Sequence, residues 1–417
     1  MRVLITTDAF PPNCGGSGWS AYELVKGLRA RGHHVFVVQP VFSHVSSHDS
    51  RHYDGVEVLE FGSRVPDVPV VRAYLKNERL GASLSRYLGD LIQQQQVELV
   101  HAQHVLTAAP SVAAARASSV PVLCTVRDYW PVCYWGDLRF DNDGAELCPA
   151  CSVAMMTKCV RPRAGSLWPV ALGVIPYMRH SLTKKRQTLS RADAVIAVSG
   201  AIAQDLRARA PELNATRVET IPNMVDVASM ERAVAKTRRP IKGPYAVYVG
   251  KLAANKGSAL LPTVLERAEL PWPLAVIGDG PGREALEIAI RGLGRAVQFT
   301  GWLPREETLQ WLGHAELLIF PSQWPEPLSR VLLEASALGV AVAAMETGGT
   351  GDILAHEQSA LLSATVEQLA DHVKRLAEDR ALRERLGESA REVVRQRFAP
   401  PAVLDRMEEL YRSLIRS

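Results

Sequence analysis

No apolar run in this chain is long enough to cross a bilayer. The longest, Leu167 to Met178, is broken by Pro169 and Pro176 and falls short of the roughly 20 residues a spanning helix needs. A secretory leader is not expected either, because Arg2-Val3-Leu4-Ile5-Thr6-Thr7 reads as a first strand cut short by Asp8, Pro11 and Pro12. These absences lead to the expectation of a cytoplasmic protein, in which the six cysteines are reduced thiols or metal ligands rather than disulfides. Low-complexity tracts are absent, and a net charge of +4 is small for 417 residues. No DNA- or RNA-binding signature appears, so nucleic acid is not expected as a partner. What remains is a chain with enough apolar residues, 47%, for two or three domains with full cores.

Short β-branched runs alternate with helix-length segments from end to end. One series comprises Val3–Thr7, Val35–Val38, Val56–Phe61, Leu99–His101, Val122–Val126 and Ala194–Val198. A second comprises Ala246–Val249, Leu274–Ile277, Val297–Thr300, Leu317–Phe320 and Val340–Ala344. Apolar runs of this length separated by helices mark buried parallel strands, and hence doubly wound α/β sheets. A charged stretch after Ile221-Pro222-Asn223-Met224-Val225-Asp226 reads as the linker between two Rossmann-like domains, residues 1–221 and 222–399. Phe398-Ala399-Pro400-Pro401 then interrupts a long helical region, and an amphipathic helix is expected from Val403 to Ile415. Ligands of such sheets bind beyond the carboxyl ends of strands, and the motifs fall there.

The densest motif is Phe320-Pro321-Ser322-Gln323-Trp324-Pro325-Glu326-Pro327-Leu328-Ser329-Arg330-Val331-Leu332-Leu333-Glu334-Ala335. Proline is tolerated at the first helical position, so Pro327 predicts a helix starting just after Glu326. The amides of Leu328 and Ser329 would then face an anion. Glu334 would lie roughly 12 Å further along the axis, too far to share a proton or a metal with Glu326. Two ends of one elongated ligand suit that separation.

Glu326-x7-Glu334, with Phe-Pro-Ser before it and Glu-Ala-x-Ala-x-Gly at its end, resembles the signature of the retaining GT-B glycosyltransferases of glycosyltransferase family 4. The resemblance covers nearly the whole chain and implies two Rossmann-like domains facing a central cleft, with the last helix, 400–417, returning to the first domain. It implies that Glu326 meets the donor sugar and Glu334 the nucleotide ribose. The donor would be a UDP- or GDP-sugar and the acceptor a hydroxyl of a saccharide, free or lipid-linked, in surface polysaccharide or glycolipid synthesis.

Other segments agree with this reading. Phe10-Pro11-Pro12-Asn13-Cys14-Gly15-Gly16-Ser17-Gly18 follows the first strand, where glycines let amides approach an anion. In the resembled family this loop touches the donor diphosphate. Gly250-Lys251-Leu252-Ala253-Ala254-Asn255-Lys256-Gly257 puts two cations after a strand, and the order Lys-Gly rules out a Walker A loop. Lys251 and Lys256 match the family's basic pair, whose charge on the departing diphosphate makes a catalytic metal unnecessary. Gly278-Asp279-Gly280-Pro281-Gly282 resembles a dinucleotide turn, but its third glycine is misplaced for NAD. Glu346-Thr347-Gly348-Gly349-Thr350-Gly351 follows the strand ending at Ala344, and Asn223 matches a position near the cleft.

On the acceptor side, His104 and, less favoured, His101 end a strand. Thr125-Val126-Arg127-Asp128-Tyr129-Trp130 resembles the family's Thr-x-His-Asp-Tyr-Trp, with Arg127 in place of histidine, and Asp128 is the candidate for the acceptor hydroxyl. Within a Cys-rich basic insertion at about 130–186, Cys133, Cys148, Cys151 and Cys159 have the spacing of a structural zinc site. No acid lies between Glu146 and Asp193, whereas Lys158, Arg161, Arg163, Arg179, Lys184, Lys185, Arg186 and Arg191 do, interleaved with Trp168, Tyr177, Met178 and Leu182. Such a mixture suits an anionic membrane surface and a peripheral location on the inner face. A nucleotide-sugar epimerase and a noncatalytic nucleotide-sugar-binding protein of the same fold are the alternatives.

Overall fold

The computed structural model describes residues 1–43, 48–64, 69–141 and 146–416, with the backbone only at 43, 48, 64 and 69–79. The chain divides into two compact units. The first comprises Met1–Asp137, Gly173–Met224 and Pro400–Ser417, and the second Leu138–Leu172 and Val225–Ala399. The division falls three residues beyond the expected 221/222. The expected insertion is split, since Leu138–Leu172 group with the second unit rather than the first.

The first unit is built on β1 (Arg2–Thr6), β2 (His34–Ser43), β3 (His48–Tyr53), β4 (Val56–Arg64), β5 (Leu99–Ala102), β6 (Val122–Val126), β7 (Ala194–Ala197) and β8 (Val218–Thr220). They lie in the order β3-β4-β2-β1-β5-β6-β7-β8. All neighbours are parallel except β3, which pairs antiparallel with β4. The run His48-Asp49-Ser50-Arg51-His52-Tyr53 was not expected as a strand because it lacks an apolar core. It is an edge, where one side needs no burial. Helices α1 (Gly16–Ala30), α2 (Val105–Ala117) and α3 (Ile175–Ser190) follow β1, β5 and β6 in the chain.

The C-terminal helix Pro400–Arg416 belongs to this unit. Its start at Pro400, ahead of the expected Val403, uses proline's tolerance of the first turn. Val403, Leu404, Met407, Leu410, Tyr411 and Leu414 enter the same core as Val3, Ile5 and Val25. Each such buried side chain stabilises by about 1.5–3 kcal/mol. Tyr411 also meets His101 of β5, its hydroxyl 2.6 Å from Nδ1.

The second unit carries β9 (Ala246–Val249), β10 (Leu274–Ile277), β11 (Val297–Gly301), β12 (Leu317–Phe320), β13 (Ala341–Met345) and β14 (Leu361–Ser363). Their order is β11-β10-β9-β12-β13-β14, parallel throughout. The edge strands β8 and β14, three residues each, are too short to leave a periodic signal in the sequence. Strand order reverses at β1/β5 in the first sheet and at β9/β12 in the second, which are the places where such sheets hold ligands. Among the described residues no helix is long and apolar enough to cross a membrane.

Candidate active site

At the β9/β12 switch point the loops leaving the two strands are fastened together. The carbonyl of Asn255 accepts from the amides of Gln323 at 3.2 Å and Trp324 at 2.9 Å. Gly257 allows this approach, since at φ +67° an added Cβ would stand 1.8 Å from the Pro321 carbonyl oxygen. The loop after β13 arrives from elsewhere, with the Gly349 amide donating to the Glu326 carbonyl at 2.6 Å. Gly348, at φ +52°, leaves no room for a Cβ, which would sit 2.4 Å from that same oxygen. Three strand-end loops thus converge on Glu326.

There Lys256 Nζ lies 2.8 Å from Glu326 Oε1 and 4.4 Å from the centroid of the Trp324 ring. The Ser322 hydroxyl donates to the same carboxylate oxygen at 2.6 Å. The Glu326 side chain is 6% exposed and that of Lys256 27%, so the carboxylate belongs to the buried partner of the pair and the ammonium to the more open one. Tyr248 lies close by, its phenol pushed up by burial and by the charge of Glu326. Lys251 leaves the same β9 loop and is exposed. Gly250 and Gly278 continue the ladder past β9 and β10, donating to the carbonyls of Ile277 at 3.0 Å and Gly301 at 2.9 Å.

The expected helix start is corrected. Helix α4 spans Arg330–Ala337, capped by Ser329, whose hydroxyl accepts from the Leu332 amide. Pro327, Leu328 and Ser329 are buried loop residues ahead of it. The serine cap outcompetes proline because it satisfies an amide that proline leaves unserved. The Leu328 and Ser329 amides therefore precede the helix rather than opening it. Glu334, on α4, accepts from Arg330 Nε at 2.8 Å and from Arg305 Nη1. Burial alone would raise its pKa, but the two guanidinium groups outweigh that and hold it below the usual carboxylate range.

In the first unit Asp8, beyond β1, accepts from the amides of Leu106 at 3.0 Å and Thr107 at 3.2 Å at the start of α2. Burial pushes its pKa up to about 6, against those two hydrogen bonds and with help from the charge of Asp128. His104 Nδ1 accepts from the Asp8 amide at 3.3 Å, which puts the ring proton on Nε2. That nitrogen is buried, with no partner among the described residues. Burial and the charge of Arg127 lower the His104 pKa to about 3, so the ring is neutral. His101 differs, with both ring nitrogens engaged by Tyr411 and Thr125 at 2.6 Å. It is a structural tie rather than a ligand contact.

Asp128 accepts from the Trp130 amide at 2.8 Å. Burial raises its pKa, opposed by that hydrogen bond and by Lys185. Arg127, in the place of the expected histidine, donates to Asn223 and Gln103. Gly15 is the N-cap of α1, and neither a capping side chain nor a first-turn acid occupies that end. The amides of Gly16 and Ser17 therefore have no intrahelical acceptor.

The four cysteines expected to form a structural zinc site are each placed as follows. The cysteines are unbridged, and among the described residues no three His, Cys, Asp or Glu groups are clustered to hold a metal. Individual thiols turn to nearby oxygens instead, Cys148 to the Ala150 carbonyl at 3.2 Å and Cys159 to the Met156 carbonyl at 3.3 Å, while Cys133 faces Asp137 at 3.8 Å. Cys151 is half-buried. The basic segment divides. Met178 and Leu182 are core residues, whereas Leu167 and Val170 are 70% and 82% exposed, and Arg161 lies 5.2 Å over the Trp168 ring. Several cations have counter-charges, such as Lys158 with Glu146 and Arg186 with Glu212.

Sequence reasoning missed Asp8, Arg305 and Arg330. Arg330 stands four residues before Glu334, a helical pairing legible in principle, and Asp8 follows the first strand directly. Arg305 is 29 residues from Glu334 and leaves no local signal.

Residues 14–229 match the family model for Glycosyltransferase Family 4, and residues 229–393 that for Glycosyl transferases group 1. The chain is 26% identical to the alpha-D-kanosaminyltransferase of Streptomyces kanamyceticus over 244 residues, 55% of this chain and 63% of the relative. It therefore spans less than two thirds of that relative. Against the glycogen synthase of Mycobacterium tuberculosis (strain H37Rv) it is 25% identical over 441 residues, 99% of this chain and 94% of the relative. Among solved structures, Anabaena HepE in complex with UDP and glucose superposes with a TM-score of 0.69 at 18% identity, covering 99% of this chain and 100% of that one.

Proposed function

This chain belongs to glycosyltransferase family 4 and has the α/β GT-B fold, and on that premise we propose that it is a retaining, metal-independent glycosyltransferase. It moves a hexosyl group from a UDP- or GDP-sugar to a hydroxyl of a saccharide acceptor, lipid-linked or growing, in surface polysaccharide or glycolipid synthesis. The observation that carries this reading is the Lys256–Glu326 pair at the β9/β12 switch point, 2.8 Å apart, with Glu334 kept ionised by Arg305 and Arg330.

In this reading the ammonium groups of Lys251 and Lys256 meet the diphosphate, and Lys256 exchanges part of its bond to Glu326 for the donor. Cations fixed where charge accumulates lower the barrier to departure. As the bond from the anomeric carbon to the phosphate oxygen breaks, its electron pair leaves with the nucleoside diphosphate. The acceptor oxygen bonds to that carbon on the same face, and its proton passes to a phosphate oxygen. Glu326 orients the sugar and offsets positive charge at the anomeric centre, and Glu334 accepts from the ribose. The Gly15-Gly16 amides at the start of α1 supply further donors to phosphate. Asp128 and His104 Nε2 hold the acceptor.

The site of action is the inner face of the cytoplasmic membrane. Exposed Leu167 and Val170, in a stretch without acids from residue 147 to 192, support adsorption to an anionic surface. Incubation with a panel of UDP- and GDP-sugars, with and without lipid-linked saccharides, tests the whole reading. Acceptor-dependent release of nucleoside diphosphate, with the anomeric configuration retained in the product, is expected. Epimerised donor, or donor bound without release, would overturn it.

A further inference from the structure

An edge position explains why β3 can be polar, but not which polar residues it carries. Successive side chains of a strand alternate between its faces, so Arg51 and Tyr53 share one face, and that face grips the start of α1. Tyr53 packs edge-on against Tyr22 and Trp19 of α1, with ring centroids 5.4 and 6.2 Å apart. Asp54, one residue on, accepts from the Tyr22 hydroxyl. Arg51 reaches into the loop ahead of the helix. Its Nη1 donates to the Pro11 carbonyl at 2.6 Å and its Nη2 to the Phe10 carbonyl at 3.3 Å. The same guanidinium is braced by Gln39 of β2 at 2.8 Å and by Glu60 of β4 at 2.6 Å.

That loop has little else to fix it. Pro11 and Pro12 have no N–H, and among the described residues no hydrogen bond joins the backbone of residues 9–13 to other backbone. The Thr7 hydroxyl holds the Ala9 carbonyl at 2.8 Å, and Arg51 holds the next two. Beyond them the chain is pressed onto the first turn of α1, since a Cβ added at Gly18 would stand 2.6 Å from the Cβ of Cys14. A shift at Phe10 and Pro11 is therefore passed on to Gly15 and Gly16. The helix opens there with no capping side chain, and the direction of its first amides is set by the loop.

We propose that Arg51 is the positioning residue of the diphosphate loop, setting the conformation of residues 10–14 and thereby aiming the amides that open α1. The proposal rests on the transfer reading above and adds to it a residue the ligand does not touch. Arg51 is not itself a phosphate ligand in this scheme. Glu60 answers its charge, and its three nitrogens are taken up by four oxygens. Lysine would supply the charge without the fork, because only a planar guanidinium presents fixed donors to two adjacent carbonyls and two side chains at once.

The test is an equilibrium titration of the full chain with UDP, UMP, GDP and GMP, which separates the second phosphate from the rest of the nucleotide. Native protein should bind the diphosphate of its preferred base about tenfold tighter than the monophosphate. In Arg51→Met that ratio should fall roughly fivefold while monophosphate affinity stays within about twofold, a split that general loosening of the fold would not give. Arg51→Lys should fall nearly as far, because geometry rather than charge is lost, and it stands in if the methionine variant fails to fold. Gly16→Pro removes one of the aimed amides at a helical position where proline is tolerated. It should lower the ratio in the native protein and add less than about twofold in Arg51→Met, since both changes act on the same donors. An unchanged ratio in folded Arg51 variants, full rescue by lysine, or independent additive losses would overturn the proposal. Absence of diphosphate binding in the native protein would sink the transfer reading and this proposal with it, whereas diphosphate binding insensitive to Arg51 sinks the positioning role alone.

Discussion

Replacing Lys256 by methionine isolates one charge. Methionine keeps the aliphatic stem against the Trp324 ring, 4.4 Å from the ammonium in the native chain, and removes only the cation. At 2.8 Å and an effective dielectric of about 20, the attraction to Glu326 is roughly 6 kcal/mol before desolvation. Most of that is cancelled, because the Lys256 side chain is 27% exposed and its ammonium is fully hydrated on unfolding. Ser322 still donates to the stranded carboxylate. The net loss of stability should be about 1–2 kcal/mol. Catalysis should suffer more, since one fixed donor at developing negative charge is worth about 100- to 1,000-fold in kcat. Nucleoside diphosphate release, measured beside a denaturant unfolding curve, reads both quantities. Turnover within threefold of the native enzyme in a folded Lys256→Met variant would refute the role assigned to this residue.

Glu334→Gln should lower stability by about 2–4 kcal/mol, because Arg305 and Arg330 lose their shared counter-charge in a buried setting, and should weaken nucleotide binding. An unshifted denaturation midpoint would contradict the pairing. For Asp8, with a pKa of about 6 in the fold against 3.8, the folded chain retains a proton that the unfolded chain releases. The stability it contributes is full below about pH 4 and lost as pH rises through 6. The difference in unfolding free energy between native protein and Asp8→Asn should therefore fall across that window by up to about 3 kcal/mol, and a flat difference would refute it. Tyr411→Phe leaves His101 with one partner in a fully buried place and should cost about 1–3 kcal/mol. Equal thermal stability of the variant would show the tie to be idle.

Much of the architecture was legible because buried parallel strands must be apolar on both faces. Runs such as Leu317–Phe320 and Ala246–Val249 announce themselves for that reason. Edges do not, and His48–Tyr53 passes for a polar loop until it is paired. The motif loops were legible because ligands gather beyond strand ends, and Lys256 and Glu326 do meet at a switch point. Local chemistry misled at Pro327, where a plausible helix start lost to the better cap Ser329. Contacts distant in sequence, Arg305 with Glu334 and Tyr411 with His101, depend on tertiary placement and have no local signature. Asp8 was visible only as the end of a strand, because its role arises from α2 arriving above it.

The most direct test is a crystal structure of the enzyme with an intact nucleotide sugar or its nucleoside diphosphate product. The diphosphate should lie within hydrogen-bonding distance of Lys256 Nζ and near Lys251, with a ribose hydroxyl on Glu334 and the sugar beside Glu326. Density for the diphosphate anywhere else, with Lys256 still closed on Glu326, would contradict the account.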